Sequence, residues 1–201
     1  MRTPLILALD TAAAHCAVAV LSGDQILASC EEVMAKGQAE RLLALVEELL
    51  AEAGVQMHQL DAIGVGIGPG NFTGIRIAVS AARGLALALD IPAVGVSAFD
   101  ALRFGTSGPC ICIVDARREM VFTQGFETDI LTDPALVSFV TLPTDVPMLG
   151  AFGATPAHPV AVAIARITAL RYADAPTAPA PLYLRAADAA PARDAPPQIV
   201  P

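Results

Sequence analysis

Two aspartates stand at matching places in this 201-residue sequence. Asp10 closes the apolar run Ile6-Leu7-Ala8-Leu9 and is followed by Thr11, and Asp115 closes Ile111-Cys112-Ile113-Val114 in the second half of the chain. A buried strand ending in aspartate presents a carboxylate at its tip, and two such tips facing one cleft would position a metal ion or a nucleophilic water. Aspartate at such a place equally caps its own turn, so both readings stand.

The other segment with chemical potential is glycine-rich: Gly66, then Gly68-Pro69-Gly70-Asn71-Phe72-Thr73-Gly74. Glycine lets a backbone turn sharply and approach a neighbour closely, and Thr73 is placed to cap a following helix. Such a loop either turns tightly on its own chain or faces a nucleotide. It carries neither the Lys-Ser/Thr ending of a P-loop nor any G-x-G-x-x-G register. His15, His58 and His158 are scattered, with no H-E-x-x-H and no pair four apart, so no histidine metal site is expected. No G-x-S-x-G elbow is present, and Ser22, Ser29 and Ser97 have no base nearby in sequence. No catalytic residue and no metal site emerge.

These residues need elements to hold them. Residues 5–9, 16–21 and 26–29 read as a β-meander, 62–67 as a central strand and 93–96 as another strand, while 110–114 and 120–126 repeat the opening pair. Helices are expected over 38–53, ended by Gly54, over 75–89, from 97 to 103, and from Pro159 onward. The recurrence implies a duplicated lobe: one over 1–104, a linker at Gly105-Thr106-Ser107-Gly108-Pro109, a smaller lobe over 109–185, and an Ala/Pro-rich tail over 186–201. In the helix over 75–89, Arg76, Ser80 and Arg83 crowd into a sector of roughly 60° at 100° per residue, leaving the rest apolar. One apolar surface belongs on the home sheet. The other is expected on a partner, through Ile75, Ala78, Ala82 and Leu85, with Arg76 and Arg83 at the rim and Leu42, Val46 and Leu49 of the first helix alongside.

Composition supports a partnered chain. Apolar residues make up 55% and charged residues 16%, with a mean hydropathy of +0.60, more apolar material than two small cores need. A net charge of −8 argues against gripping RNA unaided. The uncharged stretch 146–165 is broken by Pro147, Pro156 and Pro159, and the apolar start stops at Asp10, too short for a secretory signal. No membrane role is expected. Cys16, Cys30, Cys110 and Cys112 contain no C-x-x-C and read as structural thiols of a cytoplasmic protein.

Ile6-Leu7-Ala8-Leu9-Asp10-Thr11, Gly68-Pro69-Gly70-Asn71-Phe72-Thr73-Gly74-Ile75-Arg76-Ile77, Gly84-Leu85-Ala86, Ile91-Pro92-Ala93-Val94-Gly95-Val96-Ser97, Asp115-Ala116-Arg117 and Leu182-Tyr183-Leu184-Arg185 together resemble the TsaB family, also called YeaZ. That resemblance implies an α/β fold of the two-lobed actin-like ATPase type (ASKHA), an RNase H-like duplication with mixed sheets flanked by helices. It implies a non-catalytic subunit that binds and activates TsaD, with TsaE, in forming threonylcarbamoyladenosine beside the anticodon of tRNAs, or a homodimer when TsaD is absent. The tRNA would be contacted mainly through the complex. No cofactor is required by the chain itself; the cleft of Asp10, Thr11, Gly68, Pro69, Gly70, Asn71, Thr73, Gly74 and Asp115, or the TsaD junction, is where ADP or ATP would lie. The alternative is an ATP-dependent phosphotransferase of the same superfold, with Asp10 as base or metal anchor. Three places depart from the family pattern: Gly37-Gln38-Ala39-Glu40 lacks a histidine, Ala12 replaces serine, and Glu119-Met120-Val121-Phe122 replaces Gly-Glu-Val-Tyr.

Overall fold

The duplication seen in sequence is a duplication of topology. A computed structural model of the chain describes residues 3–174 and 178–185. Its first sheet contains β1 (Leu5–Asp10), β2 (His15–Ser22), β3 (Gln25–Val33), β4 (Ala62–Gly66) and β5 (Ala93–Val96), in the order β3-β2-β1-β4-β5. The second contains β6 (Cys110–Asp115), β7 (Met120–Phe126), β8 (Ala135–Ser138) and β9 (Met148–Gly150), in the order β8-β7-β6-β9. In both, an antiparallel meander opens the lobe and a later strand pairs in parallel with the far edge of the first strand. Helices α1 (Gln38–Glu52), α2 (Phe72–Leu89), α3 (Ala98–Arg103) and α4 (Val160–Arg171) flank the sheets. This is the two-lobed actin-like α/β fold.

Strand alternation sends the β1 side chains to opposite faces, and both faces are covered. Leu7 and Leu9, with Val18, Val20, Ile63 and Val65, pack beneath α1 and α2. Ile6 and Ala8, with Ala17, Ala19, Leu21 and Val96, pack beneath Ile164 and Ile167 of α4. Burial on two sides accounts for the unbroken apolar run of β1. It also corrects the expected division of the chain: α4 lies beyond the linker in sequence, yet packs on the first sheet. The reason is steric and apolar. A side chain at Gly64 would strike Thr168 and Ile164, so β4 and α4 approach closely, and Ala161, Ala163 and Ala165 keep that layer thin.

Local chemistry sets the helix limits. Gly54 ends α1 at φ +66°, as expected. Helix α2 begins at Phe72, not Ile75, because the Asn71 side chain accepts the N–H groups of Thr73 (3.0 Å) and Gly74 (3.1 Å); Asn71 is the cap, not Thr73. By length and composition α2 is apolar enough to cross a membrane, but it packs on β1 and β4 with Ile75, Ala78 and Ala82 in the core. The short strands β8 and β9 lay outside what could be read from sequence. All four cysteines are free, and burial pushes the Cys16 thiol up to about 11 and the Cys112 thiol up to about 12, away from thiolate chemistry. The expected tail over 186–201 lies outside the described residues.

Ile164 is 1% exposed against the first sheet. Its replacement by alanine is expected to lower unfolding stability by about 2–5 kcal/mol in urea titrations, since the cavity adds to the lost transfer energy. A loss under about 1 kcal/mol would contradict the packing of α4 on that sheet.

Candidate functional site

The tip of β1 and the loop between β4 and α2, distant in sequence, are bound together by a short set of contacts. Thr11 donates its hydroxyl to the Gly74 carbonyl at 2.6 Å, and the Asn71 N–H donates to the Ala12 carbonyl at 2.6 Å. A Cβ at Gly70 would overlap the Ala12 carbonyl, and one at Gly74 would overlap that of Thr11. A Cβ at Gly66 would overlap the Asp10 carboxylate. These glycines are required by the chain's own backbone approach. The loop is held from the other side too: Ala98 N–H donates to the Gly68 carbonyl (2.8 Å) and Leu182 N–H to that of Ile67 (2.8 Å). The Gly68–Pro69 bond is cis.

Asp10, 4% exposed, uses its carboxylate internally. Oδ1 accepts the Ala12 N–H at 3.0 Å and lies 2.5 Å from His15 Nε2. His15 Nδ1 lies 3.5 Å from Glu31 Oε1, so an imidazole from β2 sits between two carboxylates. Burial alone pulls the His15 pKa down; the hydrogen bond and charge of Asp10, with the charge of Glu31, outweigh it, and the net shift is upward. Sequence reading gave His15 no partner, although a histidine at the start of the antiparallel partner strand is within reach of the preceding strand's tip.

Asp115 behaves differently. It is exposed and accepts the Arg117 N–H at 2.8 Å, and among the described residues no hydrogen bond or ion pair joins it to Asp10. Each aspartate caps its own turn. At the start of α2 the N–H groups of Asn71, Thr73, Gly74 and Ile75 are donated to the chain's own oxygens. Gly70, Asn71 and Gly74 brace the loop onto Thr11 and Ala12. Of the departures noted in sequence, Gln38 is buried and donates its side-chain amide to the Met34 carbonyl at 3.0 Å, and Ala12 is 7% exposed.

The expected partner face requires correction. Leu42, Val46, Leu49, Ile75, Ala78 and Ala82 are each at most 4% exposed and belong to the core beneath the first sheet, with Leu85 half-buried against it. The apolar stripes of α1 and α2 are spent on β2 and β4. Arg76, Ser80 and Arg83 are outward, as expected, and so is Gly84, where a Cβ would meet nothing within 4 Å; sequence reading missed Leu87, which is 85% exposed. Leu43 on α1 is 49% exposed. No difference in residue type marks Leu87 out from Leu85; only the three-dimensional fold does.

The fold and this internally braced strand tip define an actin-like α/β protein whose β4–α2 loop is bonded to the tip of its first strand. The family model of TsaD, tRNA N6-adenosine threonylcarbamoyltransferase, matches residues 30–142. A protein of Mycobacterium tuberculosis is 34% identical over 92% of this chain and 94% of its own length. The tRNA threonylcarbamoyladenosine biosynthesis proteins TsaB of Haemophilus influenzae and Escherichia coli are 31% and 33% identical, over 66% and 62% of this chain; the matches span 58% and 55% of those proteins. The crystal structure of YeaZ from Pseudomonas aeruginosa superposes with a TM-score of 0.73 at 29% identity, covering 90% of this chain and 100% of that one. The chain belongs to the TsaB (YeaZ-type) family.

Two outcomes follow from the braced tip. Because the folded pKa of His15 is raised, its pairing contributes stability that is complete below the unfolded value of 6.5 and is lost as pH rises through the folded value. Unfolding stability measured from pH 6 upward should fall in the wild type relative to His15→Gln; parallel profiles would contradict the pairing. Separately, Gly74→Ala should cost about 1–3 kcal/mol by overpacking against Thr11, and unchanged stability would refute the close approach.

Proposed function

We propose that this chain is a non-catalytic subunit that binds and activates a TsaD-type partner in forming threonylcarbamoyladenosine beside the anticodon of tRNAs. The names of its relatives support a role in tRNA threonylcarbamoyladenosine biosynthesis. The observation that carries the rest is the contrast between the two sides of α2. Its inner side and its capped start are spent within the chain, whereas its outer side leaves Ser80, Gly84 and Leu87 exposed.

A helix with a serine and a glycine one turn apart admits another helix closely, and an exposed leucine supplies the apolar area that rewards contact. Arg76 and Arg83 border that stripe. The proposed partner is TsaD, with TsaE joining the assembly and a homodimer through the same face when TsaD is absent. A net charge of −8 supports tRNA contact made mainly by the rest of the complex, in the cytoplasm. The chain needs no cofactor of its own in this account. Its contribution is differential binding: a surface complementary to the active conformation of TsaD raises that conformation's population without supplying a reacting group. Residues 3–104 together with α4 form the proposed partner-binding unit, and β6 to β9 the smaller lobe.

Gly84→Arg and Leu87→Asp alter exposed positions, so both variants should fold with unchanged melting behaviour. Each is expected to weaken co-elution with TsaD by about tenfold or more, and to lower threonylcarbamoyladenosine formation in a reconstituted mixture of TsaD, TsaE, activated intermediate and tRNA. Wild-type rates with both variants, or equal rates without the chain, would overturn the proposal.

A further inference from the structure

We infer that the groove between α2 and residues 178–185 is an oxyanion-binding site, built to hold a phosphate or carboxylate group between Arg76 and Arg83. The concavity has a volume of about 480 Å³ and is lined by Arg76, Val79, Ser80, Arg83, Pro181 and Tyr183.

Arg76 is fixed in place before any ligand arrives. Its guanidinium lies 3.8 Å from the Phe72 ring centre and 5.7 Å from that of Tyr183. Its Nε donates to the Tyr183 hydroxyl at 2.8 Å, and the two rings stack on each other at 4.8 Å. A guanidinium carries five N–H donors, and among the described residues only the one on Nε is used. A planar fork already held by aromatic contact loses little freedom on gripping an oxyanion, and such charge-assisted bonds are about twice as strong as neutral ones.

Arg83 lies two turns further along the same face, with Ser80 between them. Its side chain has no hydrogen-bond or ion-pair partner among the described residues. Three other arginines are ion-paired, Arg41 with Glu32 and Glu48, Arg103 with Glu127 and Arg171 with Asp100, whereas Arg76 and Arg83 have no ion pair among the described residues. Helix α2 contains no acidic residue. Arg76 and Arg83, neither ion-paired among the described residues, thus line one side of a concavity and together attract an anion to it. The Ser80 hydroxyl adds a donor. Val79, Pro181 and the Tyr183 ring give an apolar wall, so the ligand is an oxyanion attached to a small, partly apolar group.

The inference concerns the free chain and does not rest on the TsaD reading. Phosphate and carboxylate share the chemistry and differ in source, a small phosphorylated molecule or an acidic side chain of a partner. Pyrophosphate and succinate, titrated separately into the full chain at about 50 mM salt and followed by amide NMR shifts and calorimetry, separate them. At least one should bind saturably, with shifts centred on residues 76–83 and 181–183. Arg83→Gln and Arg76→Gln should each weaken binding about tenfold, Tyr183→Phe a few-fold, and the exposed control Arg118→Gln not at all. Tighter pyrophosphate assigns the phosphate source, and tighter succinate the carboxylate source. Binding of neither anion, or equal weakening by Arg83→Gln and Arg118→Gln, overturns the site.

Discussion

The close docking of the β4–α2 loop onto the tip of β1 is the constraint from which the rest of this molecule follows. Backbone meets backbone there, through Thr11 and Gly74 and through Ala12 and Asn71, at distances that leave no room for a Cβ at Gly70 or Gly74. Because β1 is the central strand, paired with β2 on one side and β4 on the other, fixing its tip fixes the start of α2 against the whole first sheet. The direction of α2, and so the face it turns outward, is a consequence of two glycines and one asparagine cap.

The same contacts settle what the loop's polar groups do. At the start of α2 the N–H groups of Thr73 and Gly74 go to the Asn71 side chain, and that of Asn71 goes to the Ala12 carbonyl. An aspartate at a strand tip anchors a metal when its oxygens face an open cleft, and Asp10 instead faces His15 and its own turn. The glycine-rich loop of this scaffold thus braces the start of a helix against the tip of β1. What the chain then offers is surface: the outward stripe of α2, and beside it a groove with two arginines. Both depend on the brace, because both are defined by where α2 begins and how it lies.

Much of this was legible in the residues. The apolar runs ended by Asp10 and Asp115 marked two homologous strands, and the topology repeats around both. Gly54 and the polar sector of Arg76, Ser80 and Arg83 were readable because a positive φ and a helical period each leave a direct mark on residue choice. Other features left none. Strands β8 and β9 span four and three residues, too short for alternation to accumulate. The sheet on which α4 packs is a matter of chain return, which no local pattern encodes. Apolar residues look alike whether they face a sheet or a partner, so Leu42, Val46 and Leu49 of α1 and Ala78 and Ala82 of α2 read as a partner face when they are the core. His15 escaped notice because its partners, Asp10 and Glu31, come from separate strands.

Amide hydrogen exchange at the start of α2, followed by NMR with and without ATP and magnesium, addresses the internal brace most directly. If Asn71, Thr73 and Gly74 donate to Ala12 and to the Asn71 side chain, their amides should already be protected in the nucleotide-free chain, and nucleotide should leave that protection unchanged. Fast exchange in the free chain that becomes slow on adding nucleotide would show amides held open for phosphate, and would contradict the account.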